Sequence, residues 1–255
     1  MGNSLEISNW SLFFSTGLLL MAIFVDYKQK LGLGNEIFIA GLRAVVQLFV
    51  IGYVLSYVFN LDNVLVTFAM VLFIVFNASY NAHKRSEGMP NSLRISLISL
   101  GTGTTLTLGL LIATGTIEWV PSQIVPITGM IASNAMVAVG LTYRALNDKF
   151  KDQRQQVLEK LSLGANEKQA SMTIIRESIK TGMTPSIDST KTVGLVSLPG
   201  MMSGLIFAGI EPTEAIRYQI VVMFMLIGVT SISSVIASFM SYKQFYNDQK
   251  QLISR

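Results

Sequence analysis

Seven continuous apolar runs, separated by polar or helix-breaking stretches, dominate the chain: residues 7–25, 37–59, 64–82, 93–115, 124–146, 192–210 and 216–240. Each is close to the roughly 20 residues that a helix rising about 1.5 Å per residue needs to cross about 30 Å of hydrocarbon. The separators include DYKQKLGLGNE, NLDN, HKRSEGMPNS, TIEWVPSQ and EPTEA, and one long polar segment, 147–191. A transmembrane barrel needs short segments that alternate polar and apolar residues, whereas these runs are apolar throughout. The pattern therefore predicts an all-α integral membrane protein: one permease domain over 1–255, with about seven transmembrane helices and a cytosolic insertion at 147–191.

Within that insertion the spacing changes to an amphipathic period. Val157, Leu158 and Leu161 form one apolar stripe, and Gly164 is placed to end that helix in the left-handed conformation. Asn166 is placed to cap the next helix, with Gln169 three residues on as the second half of a capping box. Ile174, Ile175, Ser178 and Ile179 continue a buried face. Two readings fit this spacing: a stiff helical elbow projecting into the cytosol, or an amphipathic loop lying on the membrane surface.

Composition agrees with the hydropathy pattern. The chain is 51% hydrophobic and only 13% charged, against about 25% charged in soluble domains. The net charge of +4 suggests nucleic acid until the basic residues are located. With the N-terminus placed outside, Lys28 and Lys30, then Lys84, Arg85 and Arg94, then nine residues from Arg144 to Lys191, and finally Lys243, Lys250 and Arg255 all fall on the inner side. That is 17 of the 19 basic residues, the asymmetry expected of cytoplasmic loops. Glu6, Asp62, Glu118, Glu211 and Glu214 fall on the outer side. The positive charge is thus a topology signal, and no nucleic-acid partner is expected. No basic residue precedes the first run, so it reads as a span and not as a secretory signal.

Charged and polar side chains inside spans are costly and mark candidate pathways. Arg43 is the only charged residue well inside a run, and it shares a helix face with Gln47 four residues on. These two, with Asn77 and Asn134, either line a translocation path or, for Arg43, snorkel to the lipid interface. Pro199 and Gly200 invite a kink in the sixth run, beside Met201 and Met202. Gly200, Gly204 and Ala208, and likewise Gly101, Thr105 and Gly109, form small-residue stripes suited to close packing within or between subunits. No metal site is specified. Cysteine is absent, His83 is the one histidine and is expected in an inner loop, and no acidic residue falls inside any of the seven runs. Methionine thioethers suit soft ions, but among 13 methionines core filling is the commoner role.

The segment LEKLSLGANEKQA resembles the coupling helix through which ABC-transporter permeases dock on their ATPase subunits. More specifically, NAMVAVGLTY at 134–143, LSLGANEKQAS at 161–171, KTVGLVSLPGMMSGLIFAG at 191–209 and AIRYQIVVMFML at 215–226 resemble the FetB family. That resemblance implies a seven-span permease paired with an ATP-binding subunit and associated with iron export and oxidative-stress resistance. Relatives in plants are linked to aluminium tolerance and nucleotide-sugar transport. It also implies that Leu161, Leu163, Gly164, Ala165, Asn166, Glu167 and Lys168 form the ATPase-coupling elbow. The general importer signature carries a glutamate six residues before the coupling glycine. Here Leu158 holds that place and Glu159 follows it, so a solute-binding protein is not implied.

A P-loop needs a Gly-Lys pair among its glycines, and the sequence has none. The chain is therefore expected to bind no ATP or magnesium of its own, to have no catalytic residues, and to depend on two copies of a partner ATPase. With one elbow per chain, the resemblance implies a homodimer in a bacterial cell membrane. The rival classes are an ATP-independent channel or carrier, for which mid-span carboxylates or repeat symmetry would be the signature, and a seven-helix retinal protein, which needs a lysine in the last span.

Overall fold

A computed structural model of the chain describes residues 8–61 and 63–253. Three residues named above, Glu6, Asp62 and Arg255, and residue 7, the first of the first apolar run, lie outside the described residues. The described residues form helices α1 (Asn9–Gln29), α2 (Gly34–Leu61), α3 (Val64–Lys84), α4 (Ser92–Ala113), α5 (Pro121–Asp152), α6 (Arg154–Ser162), α7 (Glu167–Thr192), α8 (Gly200–Phe207) and α9 (Pro212–Ser241). The protein is all-α, as the hydropathy pattern predicts. Six of these helices are long and apolar enough to cross a membrane: α1, α2, α3, α4, α5 and α9.

The chain divides into two compact units by its internal contacts, Met1–Asp62 and Asn63–Arg255. In the first unit, Lys30 closes α1 in the left-handed conformation and Asp26 accepts a hydrogen bond from the Leu33 backbone N–H at 2.7 Å. Gly41 of α2 meets Leu19 of α1, whose Cδ2 lies 2.7 Å from where a Cβ would stand. Asp26 and Val58 are the buried side chains among the described residues of this hairpin.

In the second unit, α5 is the central helix. Ile124, Ile131, Ala135, Val139, Tyr143 and Leu146 recur at helical spacing and are fully buried, placing one face of α5 in the core. Serine and threonine fill close-packed positions around it. Ser96 meets the Tyr143 hydroxyl at 2.8 Å, and Ser233 of α9 donates to the Ser99 carbonyl of α4 at 3.2 Å. Small hydroxyl side chains let helices approach closely and satisfy their own polarity on neighbouring backbone. The large exposed side chains are mostly apolar, Leu65, Phe73, Leu110 and Phe224 among them, as a surface facing lipid requires.

The sixth expected span, 192–210, is not a continuous helix. α7 ends at Thr192, a tight turn with a bridge between Val193 and Ser197 follows, and only the eight-residue α8 succeeds it. Gly194 in the turn has φ +82° and Pro199 caps α8. A left-handed glycine and a proline without an N–H interrupt the helix that hydropathy alone would continue. The polar segment 147–191 is largely helical: its first residues extend α5 to Asp152, and residues 167–191, with Thr192, form α7, which packs along α5 and α9.

Candidate coupling elbow and membrane-level site

The elbow takes the form its sequence predicts. Val157 of α6 is fully buried, with Leu158 and Leu161 packed against the same core. Gly164 has φ +89°, a conformation an L side chain resists. The Asn166 side chain accepts from the Gln169 N–H at 2.9 Å while Gln169 Oε1 accepts from the Asn166 N–H at 3.0 Å, a complete capping box. Ala170, Ile174, Ile175 and Ser178 then enter the core. Between the helices, Leu163 is 87% exposed, and Gly164, Asn166 and Lys168 are exposed beside it, with Ala165 and Glu167 half-buried.

The chain's C-terminal tail braces the root of this elbow. Phe150 stacks on Phe245 with ring centroids 4.0 Å apart, and Tyr246 meets Phe150 edge-on. The Tyr246 hydroxyl lies 2.6 Å from Ser171 Oγ, and Lys250 pairs with Glu167 at 3.7 Å. Burial pushes the Tyr246 phenol above its usual pKa, so it remains neutral as a hydrogen-bonding partner. Lys149 and Glu177 close the other side at 2.7 Å. The outcome is an elbow whose tip is free and whose base is fixed.

The residues expected to share a path lie on several helices. Arg43 and Gln47 are exposed on α2 in the first unit. Asn77 is exposed on α3 and receives two hydrogen bonds from Asn81 Nδ2, at 2.8 Å to its carbonyl and 2.9 Å to Oδ1. Asn134 is half-buried and lines a cleft of about 100 Å³ with Gly182, Ser186, Ser189, Thr190 and Met223. Met201 joins Met130, Pro126, Leu205 and Tyr218 around a larger cleft of about 700 Å³. Pro199 and Gly200 start α8, and Met202 is half-buried on it.

Other expectations resolve differently. Nothing lies within 4 Å of a Cβ built on Gly101, Gly109, Gly200 or Gly204, so neither small-residue stripe is a packing seam inside the protomer. The close approach on α4 is instead at Gly103, which meets Ser233 and Val229. His83 Nδ1 lies 2.7 Å from Ser92 Oγ and ties the turn between α3 and α4. Among the described residues, no three His, Asp or Glu side chains gather into a metal-binding group.

Sequence reasoning missed α7 as a partner of the bundle. Gly182 approaches α5 and α9 so closely that an added Cβ would meet Thr142 Oγ1, with the Ala138 carbonyl at 2.7 Å and Ser234 Oγ at 2.8 Å. The signal was present in the run Ile174, Ile175, Ser178, Gly182, a helical stripe of apolar and small residues on an otherwise polar segment.

These features are those of a multi-pass membrane protein with a helical elbow between α6 and α7. The chain belongs to a family described as "Uncharacterised protein family (UPF0014)", whose pattern matches residues 9–246. It is 51% identical over 251 residues to the "Probable iron export permease protein FetB" of Escherichia coli (strain K12), covering 98% of this chain and 97% of that one. It is 38% identical to the "UPF0014 membrane protein STAR2" of Oryza sativa subsp. japonica, over 93% of this chain and 84% of the relative. It is 36% identical to the "Protein ALUMINUM SENSITIVE 3" of Arabidopsis thaliana, over 92% and 86%. No solved structure matches the chain.

Proposed function

We propose that the chain is the membrane subunit of an ATP-driven exporter whose cargo is iron. It works as a homodimer with two copies of a separate ATP-binding subunit, in a bacterial cell membrane with the N-terminus outside and the C-terminus in the cytosol. The observation that carries this reading is the elbow: an exposed apolar tip at Leu163 on a glycine turn, braced at its base by the tail and by the Lys149–Glu177 pair. A rigid base with an exposed tip is what a lever needs to pass motion from a docked ATPase to the helices above it. An apolar side chain held in water is also a surface that binding would cover.

This orientation goes with α7, the break at 193–199 and α8 counted together as the sixth passage, which keeps the number of passages odd and the elbow and tail on the same side. Iron as cargo rests on the likeness to the probable iron export permease of Escherichia coli, and oxygen-donor side chains on α5 and α7 are compatible with a ferrous ion.

Co-purification tests the reading. The chain, expressed with the ATPase of its own genome, is expected to hold that subunit through gel filtration. Leu163→Asp should release it without altering the chain's own elution from detergent. Retention of the ATPase by Leu163→Asp, or no complex with the unaltered chain, contradicts the reading.

A further inference from the structure

α7 carries two faces. One, through Ile174, Ile175, Ser178 and Gly182, is buried against α5 and α9. The other, through Thr181, Thr184, Asp188 and Lys191, lies on the opposite side of the helix and is exposed. The spacing of three, four and three residues keeps this second set in one stripe.

The depth of that stripe follows from contacts within the same unit. Gly182 faces Ser234, and Thr190 Oγ1 lies 3.8 Å from Met223 Sδ, so α7 runs antiparallel to α9. Asp188 falls between these two levels, at about the height of Leu226. Leu226 is 14 residues from Pro212 and 15 from Ser241, the two ends of α9, which makes it the middle of that span. Asn134 and Ser189, lining one cleft with Leu226, lie at the same height. Just beyond, the helix breaks at 193–199, leaving Leu195 and Val196 exposed on non-helical backbone.

A carboxylate and an ammonium at mid-membrane cannot face lipid without large cost, and non-helical backbone at that depth is tolerated where protein or a water-filled cavity meets it. The Asp188 and Lys191 side chains are 60% and 70% exposed, and they pair only with each other at 3.5 Å on their own helix. We propose that this stripe of α7 lines an aqueous cation path, closed across from it by the same stripe of a second copy, with Asp188 the group that engages a divalent cation. The inference rests on the exporter reading for its direction and energy source, but its geometry stands on α7 alone.

The ligand class follows from the donors. Asp188 offers a carboxylate on the exposed stripe, whereas Ser189 and Asn134 line the cleft with Gly182 on the packed side of α7. Oxygen donors select hard and borderline divalent ions over soft ones. Among the described residues no three acidic or histidine side chains of one protomer gather to hold such an ion, and a second Asp188 from the facing copy completes the set. Lys191 neutralises the carboxylate while the path is empty and is displaced when a cation arrives.

The absence of cysteine from the chain makes a direct test simple. Thr184→Cys and, as a lipid-facing control, Phe224→Cys are each expressed in the full chain and treated in membranes with a charged, water-soluble maleimide. Thr184→Cys is expected to react at least tenfold faster than Phe224→Cys, and manganese(II) is expected to slow it. Adding Asp188→Asn should raise the manganese concentration needed for that protection at least tenfold, whereas Lys191→Met should leave it unchanged or lower it. Labelling of Thr184→Cys no faster than the control overturns the aqueous path. Protection unaffected by Asp188→Asn, or weakened more by Lys191→Met than by Asp188→Asn, overturns the cation assignment. None of these readouts needs the ATPase, so loss of the ATPase complex alone would count against the exporter reading and not against this one.

Discussion

Gly182 of α7 lies so close to Ala138 of α5 that the carbonyl of Ala138 stands 2.7 Å from where a Cβ would be. The same position is closed by Thr142 and Ser234. A polar helix is thereby held against the centre of the bundle. Gly182→Val must push α7 outward, and overpacking of this kind costs about 1–3 kcal/mol. A lowered melting temperature in detergent, with Gly101→Ala as a control near or above the unaltered value, is the expected result. Gly101 has nothing within 4 Å of its Cβ position, and alanine is the better helix former by up to about 1 kcal/mol.

The elbow should be sensitive at its turn. Asn166→Ala removes a capping box, typically worth about 1 kcal/mol, and Gly164→Ala places a Cβ at φ +89°, which costs roughly 1–2 kcal/mol. Both should speed hydrogen exchange of the amides from 164 to 170 while leaving those of α4 and α9 protected. Unchanged exchange at 164–170 would mean that the turn is held by contacts other than its cap.

The tail should matter more than its position suggests. Phe245 is buried against Phe150, and truncating a buried phenylalanine costs about 3–5 kcal/mol. Phe245→Ala is expected to lower the melting temperature and to open the Tyr246–Ser171 contact, so that limited proteolysis cuts within 154–170. Proteolysis confined to the last residues would show that the elbow stands without the tail.

His83 should behave as a structural residue. Its 2.7 Å contact with Ser92 Oγ is a single hydrogen bond, worth about 1 kcal/mol. His83→Ala should lower stability by that order and leave the metal response of the assembled complex within about twofold. A large loss of metal response in a stable His83→Ala protein would contradict this.

Much of the fold is legible in the sequence because hydropathy reports what touches lipid. The runs 64–82 and 93–115 differ from α3 and α4 by at most two residues at either end. The elbow was legible because Gly164, Asn166 and Gln169 act through local backbone chemistry. α7 escaped because a sliding average sums over all faces of a helix. A helix with Ile174, Ile175 and Gly182 on one side and Thr184, Asp188 and Lys191 on the other averages to a soluble segment. The opposite error fell on 192–210, where Gly194, Gly200, Gly204 and Gly209 hardly lower hydropathy yet favour turns.

The most direct test of the account is flux. The chain and its ATPase partner, reconstituted in liposomes under anaerobic conditions, should move ferrous iron only with hydrolysable ATP, and Leu163→Asp should abolish that movement. Equal iron flux without ATP, or from the chain alone, would contradict it and leave a channel or carrier in its place.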